Sequence, residues 1–387
     1  MVETASRRIY LDHAATSFPK SAGVGVAMLR YLNDFGAAPG RGATRRGAEV
    51  QRVIDHGRQL VARQFGLAGP ERVIFTLNGT DSLNLAIHGL LRPGDRVVTT
   101  VWEHNSVLRP LHQLQREHGV TREIVPHDGA GRTDLDAFRQ ALRTPTRLVI
   151  LNHASNVTGV IQSVLEMAEM ARAAGAFVLL DAAQTAGVIP VAFSKLPVDL
   201  IACPGHKGLG GPLGTGLLLL GAGMESELVP VRQGGTGSRS ESPEQPLELP
   251  DRYEAGNLNA PGLFGLDAAL QQHAFPDPEE ERLKRTHFLE GLQSLPGARV
   301  MIPDADLPRL PVFSVCFDRV APQVMASLLD EHFGIETRAG LHCAPLAHQA
   351  LGTLEEGGTV RFSFGLETTL ADLDDTLSAL AQITASL

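Results

Sequence analysis

From residue 72 onward, short runs rich in Val, Ile and Leu alternate with longer stretches whose apolar residues recur every three or four positions. The short runs at 72–76, 96–101, 122–125, 147–151, 177–180, 200–202 and 216–220 predict strands. The amphipathic stretches at 82–91, 107–118, 135–143 and 164–174 predict helices between most of them. This alternation predicts an α/β fold with a mostly parallel, seven-stranded sheet. After Gly221 the pattern lapses into a stretch rich in Gly, Ser, Pro and Glu at 233–250. It resumes with helices at 261–272 and 279–295, a strand at 312–317, a helix at 323–332, a strand at 359–364 and a last helix at 371–386. That second set predicts a smaller α+β unit.

Composition narrows the function classes. At 387 residues and 43% apolar, the chain can fill two or three cores. Lys and Arg total 34 against 43 acids, and the net charge of −9 argues against a sequence-independent grip on nucleic acid or an anionic membrane. A small molecule is the expected partner. The longest uncharged runs, 148–165 and 208–224, are broken by polar residues or by Gly and Pro, so neither reads as a membrane span. Arg7 and Arg8 precede apolar residues 9–11, but Asp12 and His13 follow at once, so no signal peptide forms and the cytosol is the expected address. Cys203, Cys316 and Cys343 allow at most one disulfide and lack zinc-ribbon spacing.

In parallel α/β sheets ligands gather at the carboxyl ends of strands, and the suggestive residues fall there. Gly79 and Thr80 open a helix after the strand ending at Thr76, where free N–H groups could face a phosphate; alternatively Thr80 or Asp81 simply caps that helix. Asp181 ends an apolar strand and heads Asp-Ala-Ala-Gln, so its carboxylate could hold a cationic ring nitrogen with Gln184 returning to the same ring, or it could cap the next helix. Trp102-Glu103-His104 can present an imidazole into the same cleft, or His104 can be structural. The most suggestive segment is Pro204-Gly205-His206-Lys207-Gly208, because burial lowers a lysine pKa and makes the amine nucleophilic, as chemistry with an aldehyde cofactor needs. No P-loop pattern surrounds it. Cys343 shares the polar loop 337–345 with Arg338, and a nearby cation favours thiolate. A metal reading of His342, Cys343 and His348 lacks a fourth ligand, and no metal is expected. Cys203 and Cys316 sit in apolar, strand-like runs and read as inert buried thiols.

These segments together resemble the fold-type I pyridoxal phosphate enzymes of aminotransferase class V, and within them the cysteine desulfurases. The landmarks are Tyr10-Leu11-Asp12-His13-Ala14-Ala15-Thr16, Gly79-Thr80-Asp81, Glu103-His104-Asn105, Asn156-Val157-Thr158-Gly159, Asp181-Ala182-Ala183-Gln184, Gly205-His206-Lys207 and Arg338-x-Gly-x-x-Cys343. The short Arg-x-Gly-x-x-Cys-Ala form is similar to group II desulfurases, which include selenocysteine lyases. The resemblance implies that Lys207 binds the pyridoxal 5'-phosphate aldehyde, Asp181 pairs with its ring nitrogen, His104 stacks on the ring and Gln184 meets its phenolic oxygen. It implies that Gly79, Thr80 and His206 meet the phosphate, with Pro204 where the family usually has a phosphate-binding Ser. Asn257 matches a position, usually Thr, that reaches the neighbouring subunit's phosphate, which implies a homodimer. Asn156 and Arg338 match the residues that grip the substrate carboxylate, with Ala15 beside them and Arg361 in support. The implied activity takes L-cysteine to L-alanine, with Lys207 as base, His104 managing the proton on the thiol and Cys343 receiving a persulfide destined for a sulfur-acceptor protein and iron–sulfur cluster assembly. Alternatives are a lyase acting on L-selenocysteine, another class V aminotransferase or lyase, or a cofactor-bound scaffold or sulfur-carrier partner without turnover. The implied division is an N-terminal segment at 1–20 that contributes to the active site and the small domain, a large cofactor-binding domain at 21–270 and a small domain at 271–387 that carries the cysteine loop.

Overall fold

Apolar residues at every position of a strand demand cover on both faces, and the central strands of this chain are of that kind. A computed structural model describes residues 8–39, 44–239, 241–302, 304 and 306–386. The predicted segments 1–20 and 271–387 extend past these at 1–7, 303, 305 and 387, and Ser240 of the predicted loop also lies outside the described residues. After β1 (Ile9–Tyr10), strands β2 (Val73–Thr76), β3 (Arg96–Thr100), β4 (Thr121–Val125), β5 (Leu148–Asn152), β6 (Phe177–Asp181), β7 (Leu200–Pro204) and β8 (Gly216–Leu220) follow in chain order. The last seven form one sheet in the order β2-β8-β7-β6-β5-β3-β4, in which only β8 runs against its neighbours.

Alternate residues of each strand feed two cores. Val149, Leu151, Val178, Leu180 and Ile201 pack with Val50, Ile54, Val61 and Phe65 of the helix Arg45–Phe65. Leu148, Ile150, Leu179 and Leu200 pack on the other face with the helices Gly79–Leu90 and Asn105–His118. Helices on both faces leave the strand ends as the place where polar groups can gather.

Beyond residue 295 the chain adds β9 (Ala298–Val300), β10 (Val312–Phe317), β11 (Ile335–Glu336), β12 (Arg338–Gly340) and β13 (Thr359–Ser363). Four of these form an antiparallel sheet in the order β12-β13-β10-β9. The helices Pro278–Ser294, Pro322–Phe333 and Leu370–Ser386 supply the rest of its core, including Phe288, Met325 and Leu380. The N-terminal β1 joins this region, pairing Ile9 with Ile335 in parallel with β11.

The seven predicted strands each fall within two residues of an observed one, but several local expectations change. The helix predicted from 82 begins at Gly79, because Asn78 accepts a hydrogen bond from the Asp81 N–H at 2.9 Å; neither Thr80 nor Asp81 is the cap. No helix follows Asp181; its Oδ1 instead accepts from Ala183 N at 2.9 Å and closes a turn. Arg338 lies in β12 and not in the loop with Cys343. The helices Ala22–Arg30 and Arg45–Phe65 were not expected from the pattern.

A buried ion pair ties these parts together. Arg58 donates to both oxygens of Glu254 at 2.8 and 2.5 Å, Glu254 also accepts from Phe75 N of β2 at 2.6 Å, and the guanidinium lies 4.4 Å from the Phe75 ring centroid. Removing one partner leaves an unpaired buried charge. Glu254→Ala alone is expected to cost roughly 3–5 kcal/mol in denaturant unfolding. The double variant Arg58→Met/Glu254→Leu should cost much less, and a double variant no better than the single one would contradict this account.

Candidate active site

Five strands that run in the same direction each deliver a polar group at their carboxyl ends. After β2 comes the turn to Gly79 and Thr80. β3 is followed by Glu103 and His104, and β5 by Asn156. β6 ends on Asp181, and β7 leads into His206 and Lys207. Register makes this convergence unavoidable, since Asn152 pairs with Asp181 and Asp181 with Ala202 across three adjacent strands.

Lys207 opens onto a cavity of about 350 Å³ that is also lined by His13, Lys20, Gln184, Val188 and Ser363. Its amine is pushed down to about 8, first by burial and then by Arg361, with Asp181 and Asp12 acting against the fall. A Cβ at the following Gly208 would stand 2.4 Å from the Ala186 carbonyl oxygen, so glycine is needed for the backbone to pass there. The Asp181 carboxyl is raised by burial, opposed by the Ala183 N–H and by Lys207. Glu103, fully buried, is pushed up to about 8 by burial and then by Asp181, although its Oε1 accepts from Thr100 Oγ1 and Asn152 N at 3.0 Å. At neutral pH Glu103 therefore holds its proton.

His104 caps its helix through Nδ1, which accepts from Ser106 N at 3.0 Å, and burial holds the ring down to about 4. The imidazole is thus neutral. Ser106 Oγ lies 2.7 Å from that nitrogen and 2.8 Å from Thr80 Oγ1, joining two expected residues through a hydroxyl that the sequence reading did not single out. Gln184 is buried and donates to the Ala14 carbonyl at 3.1 Å. Pro204, the departure from the usual Ser, ends β7 with its Cδ 3.2 Å from where a Gly79 Cβ would stand, so a side chain at Gly79 would crowd it.

Arg361 and Arg338 meet on one carboxylate. Arg361 donates to Asp12 Oδ1 at 2.6 Å and to the Asn156 carbonyl at 3.2 Å, while Arg338 lies 3.8 Å from Asp12 Oδ2. Arg361 is buried and Arg338 half exposed. Asp12, quoted only as a landmark, is the residue that holds both guanidinium groups. Ala15 turns back on it, its N–H donating to the Asp12 carbonyl at 3.0 Å. Cys343 is exposed and its loop is fastened at two successive carbonyls: His342 O accepts from Asn156 Nδ2 and Cys343 O from Asn105 N, each at 2.7 Å. His342 and His348 each place a ring nitrogen on a threonine hydroxyl, at 3.1 and 2.7 Å, and no metal-holding cluster occurs among the described residues. Asn257 is exposed in a separate groove with Thr236, Ser238 and Asp251, away from the Lys207 cavity.

The aminotransferase class-V profile matches residues 9–376. The chain belongs to the aminotransferase class-V family. Its class-V relatives include a protein of Methanothermobacter thermautotrophicus named "Probable cysteine desulfurase", 33% identical over 383 residues and covering 96% of this chain and 94% of that protein. The "Cysteine desulfurase" of Cereibacter sphaeroides is 32% identical over 393 residues, with 98% of this chain and 96% of that protein covered. Among solved class-V structures, the apo cysteine desulfurase of Thermococcus onnurineus NA1 superposes with a TM-score of 0.90 at 31% identity, covering 98% of this chain and 95% of that one. The fold-type I architecture expected from the sequence is thus the one observed.

The depressed amine gives a direct check. In the cofactor-free class-V protein, modification of Lys207 by an amine-reactive label should rise with a midpoint near pH 8, well below the ordinary lysine value of 10.5. Peptide mapping reads it. A midpoint above pH 10 would show that Lys207 is solvated as an ordinary surface amine.

Proposed function

We propose that this chain is a pyridoxal-phosphate-dependent cysteine desulfurase that takes L-cysteine to L-alanine and collects the sulfur on Cys343. The observation that carries the reading is a Lys207 amine pushed down to about 8 at the same strand ends as the buried Asp181, with an exposed thiol whose loop is fastened to that site. The donor set suits the cofactor. Asp181 is a buried carboxylate whose desolvation a protonated ring nitrogen would offset, and buried His206 Nδ1 has no partner among the described residues and is free for a phosphate oxygen. Lys207 would hold the aldehyde, His104 the ring face, Gln184 the phenolic oxygen, and Gly79, Thr80 and His206 the phosphate. When bound, pyridoxal phosphate supplies an electron sink for the pair left at the substrate Cα.

The chain's own groups do the rest. Arg361, Arg338, Asn156 and the Ala15 region receive the substrate carboxylate, with Asp12 fixing the two guanidinium planes. Lys207 Nζ, poised near neutrality, takes the proton from Cα and can return it. With Nδ1 accepting from Ser106 N, neutral His104 carries its proton on Nε2 and presents that N–H as a donor toward the incoming sulfur. Cys343 Sγ attacks the substrate sulfur: an S–S bond forms, the Cβ–S bond breaks, carbon keeps that electron pair and is protonated, and the products are alanine and a persulfide for an acceptor protein. We further infer a cytosolic enzyme with the two-domain division given above. It acts as a homodimer, in which Asn257, exposed and lining a different groove from Lys207, serves the partner's phosphate.

Two substitutions separate the steps. Cys343→Ala should still bind cysteine, yet release almost no sulfide and little alanine, because Cys203 and Cys316 are buried and cannot replace the thiol. Undiminished alanine formation would refute the persulfide route and favour another class V lyase or transaminase. Lys207→Ala should abolish both products and the borohydride-fixed cofactor adduct; recovery of that adduct on another lysine would sink the assignment.

A further inference from the structure

The chain writes nearly all its cations as arginine: of 34 Lys and Arg residues only Lys20, Lys195, Lys207 and Lys284 are lysines. Lys20 shares the Lys207 cavity. Its Nζ donates to the His206 carbonyl at 2.6 Å and to Ser17 Oγ at 2.7 Å, and it has no carboxylate partner among the described residues. The same carbonyl is approached by Ser17 N at 3.1 Å, Thr16 Oγ1 at 3.0 Å and Ser17 Oγ at 3.2 Å. A carbonyl oxygen offers two lone pairs, so four donors over-determine it, and the charged donor is the shortest. Burial pushes the Lys20 amine down to about 8. A partly buried ammonium without a counter-anion is costly unless its place matters.

That place is the peptide joining His206 to Lys207. Fixing its oxygen fixes the plane that carries the Lys207 Cα. On the other side Gly210 N donates to the Lys207 carbonyl at 2.8 Å, and Gly205 N is held by Thr215 O at 2.9 Å. Between these the lysine backbone has no free hinge. The segment that brings Lys20 here also supplies Asp12 to Arg361 and the Ala14 carbonyl to Gln184.

We propose that Lys20 is a positioning residue for Lys207: through the His206 carbonyl it sets the orientation from which the Lys207 amine reaches the cofactor. The proposal rests on Lys207 being the cofactor lysine. It adds a residue outside the strand-end set, on the N-terminal segment.

The test uses the purified, cofactor-loaded enzyme with Lys20→Met, Lys20→Arg and Ser17→Ala. Hydrogen exchange of peptides covering 204–211 should speed up about tenfold in Lys20→Met, the size expected for loss of one charge-assisted hydrogen bond. The visible circular dichroism band of the lysine-bound cofactor, which reports the orientation of that chromophore, should fall with it. Lys20→Arg keeps a cationic donor and should restore both. Ser17→Ala removes one approach to the carbonyl and the hydroxyl that Lys20 holds, and should shift both readouts part-way, which keeps the test available if Lys20→Met does not fold. A lowered melting temperature with unchanged exchange and unchanged dichroism would overturn the proposal. So would failure of Lys20→Arg to rescue a folded enzyme. Borohydride fixation of the cofactor to a lysine other than Lys207 would remove the reading beneath it, and that outcome is seen in wild type, independently of the exchange data.

Discussion

Burying an amine at the end of β7 is the constraint from which the rest of the site follows. Burial drives the Lys207 proton off first, Arg361 and Arg338 add to the fall, and Asp181 and Asp12 draw it back, which leaves a pKa of about 8. Two acids beside each other could not both stay ionised in this interior. Glu103 keeps its proton because burial and the neighbouring Asp181 outweigh the hydrogen bonds that Thr100 and Asn152 donate to its Oε1. The parallel register of β5 and β6 sets Asn152, whose N–H serves Glu103, directly beside Asp181.

The same charge balance joins the two sheets. Asp12 follows β1, which is a strand of the C-terminal region through its pairing with β11. Its carboxylate holds Arg361 of β13 and faces Arg338 of β12, while Ala14 N donates to Ser363 Oγ at 2.9 Å and the Ala14 carbonyl accepts from Gln184. One short stretch of chain therefore touches the arginines, Gln184 and, through Ser17 and Lys20, the lysine peptide. Moving the four-stranded sheet relative to the seven-stranded one would strain all of these at once.

Much of this was legible because period and punctuation agree. The β-branched runs announce the strands, and in a parallel sheet the residue after each run is where chemistry collects, so Thr80, His104, Asp181 and Lys207 could be read from their positions. The helix Arg45–Phe65 was not, since its apolar Val50, Ile54, Val61 and Phe65 are diluted by arginine, glutamine and glycine. The start of the helix at 79 turned on Asn78, whose side chain outcompetes Thr80 and Asp81 for the cap because it alone sits outside the helical backbone. Asp12, Ser106 and Lys20 were silent as site residues because their partners lie 349, 26 and 186 positions away. Contacts at that separation leave no periodic signal.

The three cysteines show how the fold sorts reactivity. Cys203, in β7, is fully buried, and its thiol is driven up by burial and by Asp181. Cys316, in β10, is pushed up to about 12 by burial first, and gives its S–H to the Gly358 carbonyl at 3.6 Å. Neither offers a thiolate at neutral pH. Cys343 alone is exposed, on a turn where His342 and Cys343 both adopt left-handed backbone angles, φ 47° and 57°, which β-carbon-bearing residues take only when held there. The holding groups are Asn156, which follows β5, and Asn105, next to His104 after β3. The strand ends that carry Asp181 and Lys207 thus also set where the Cys343 turn, which follows β12 of the other sheet, sits.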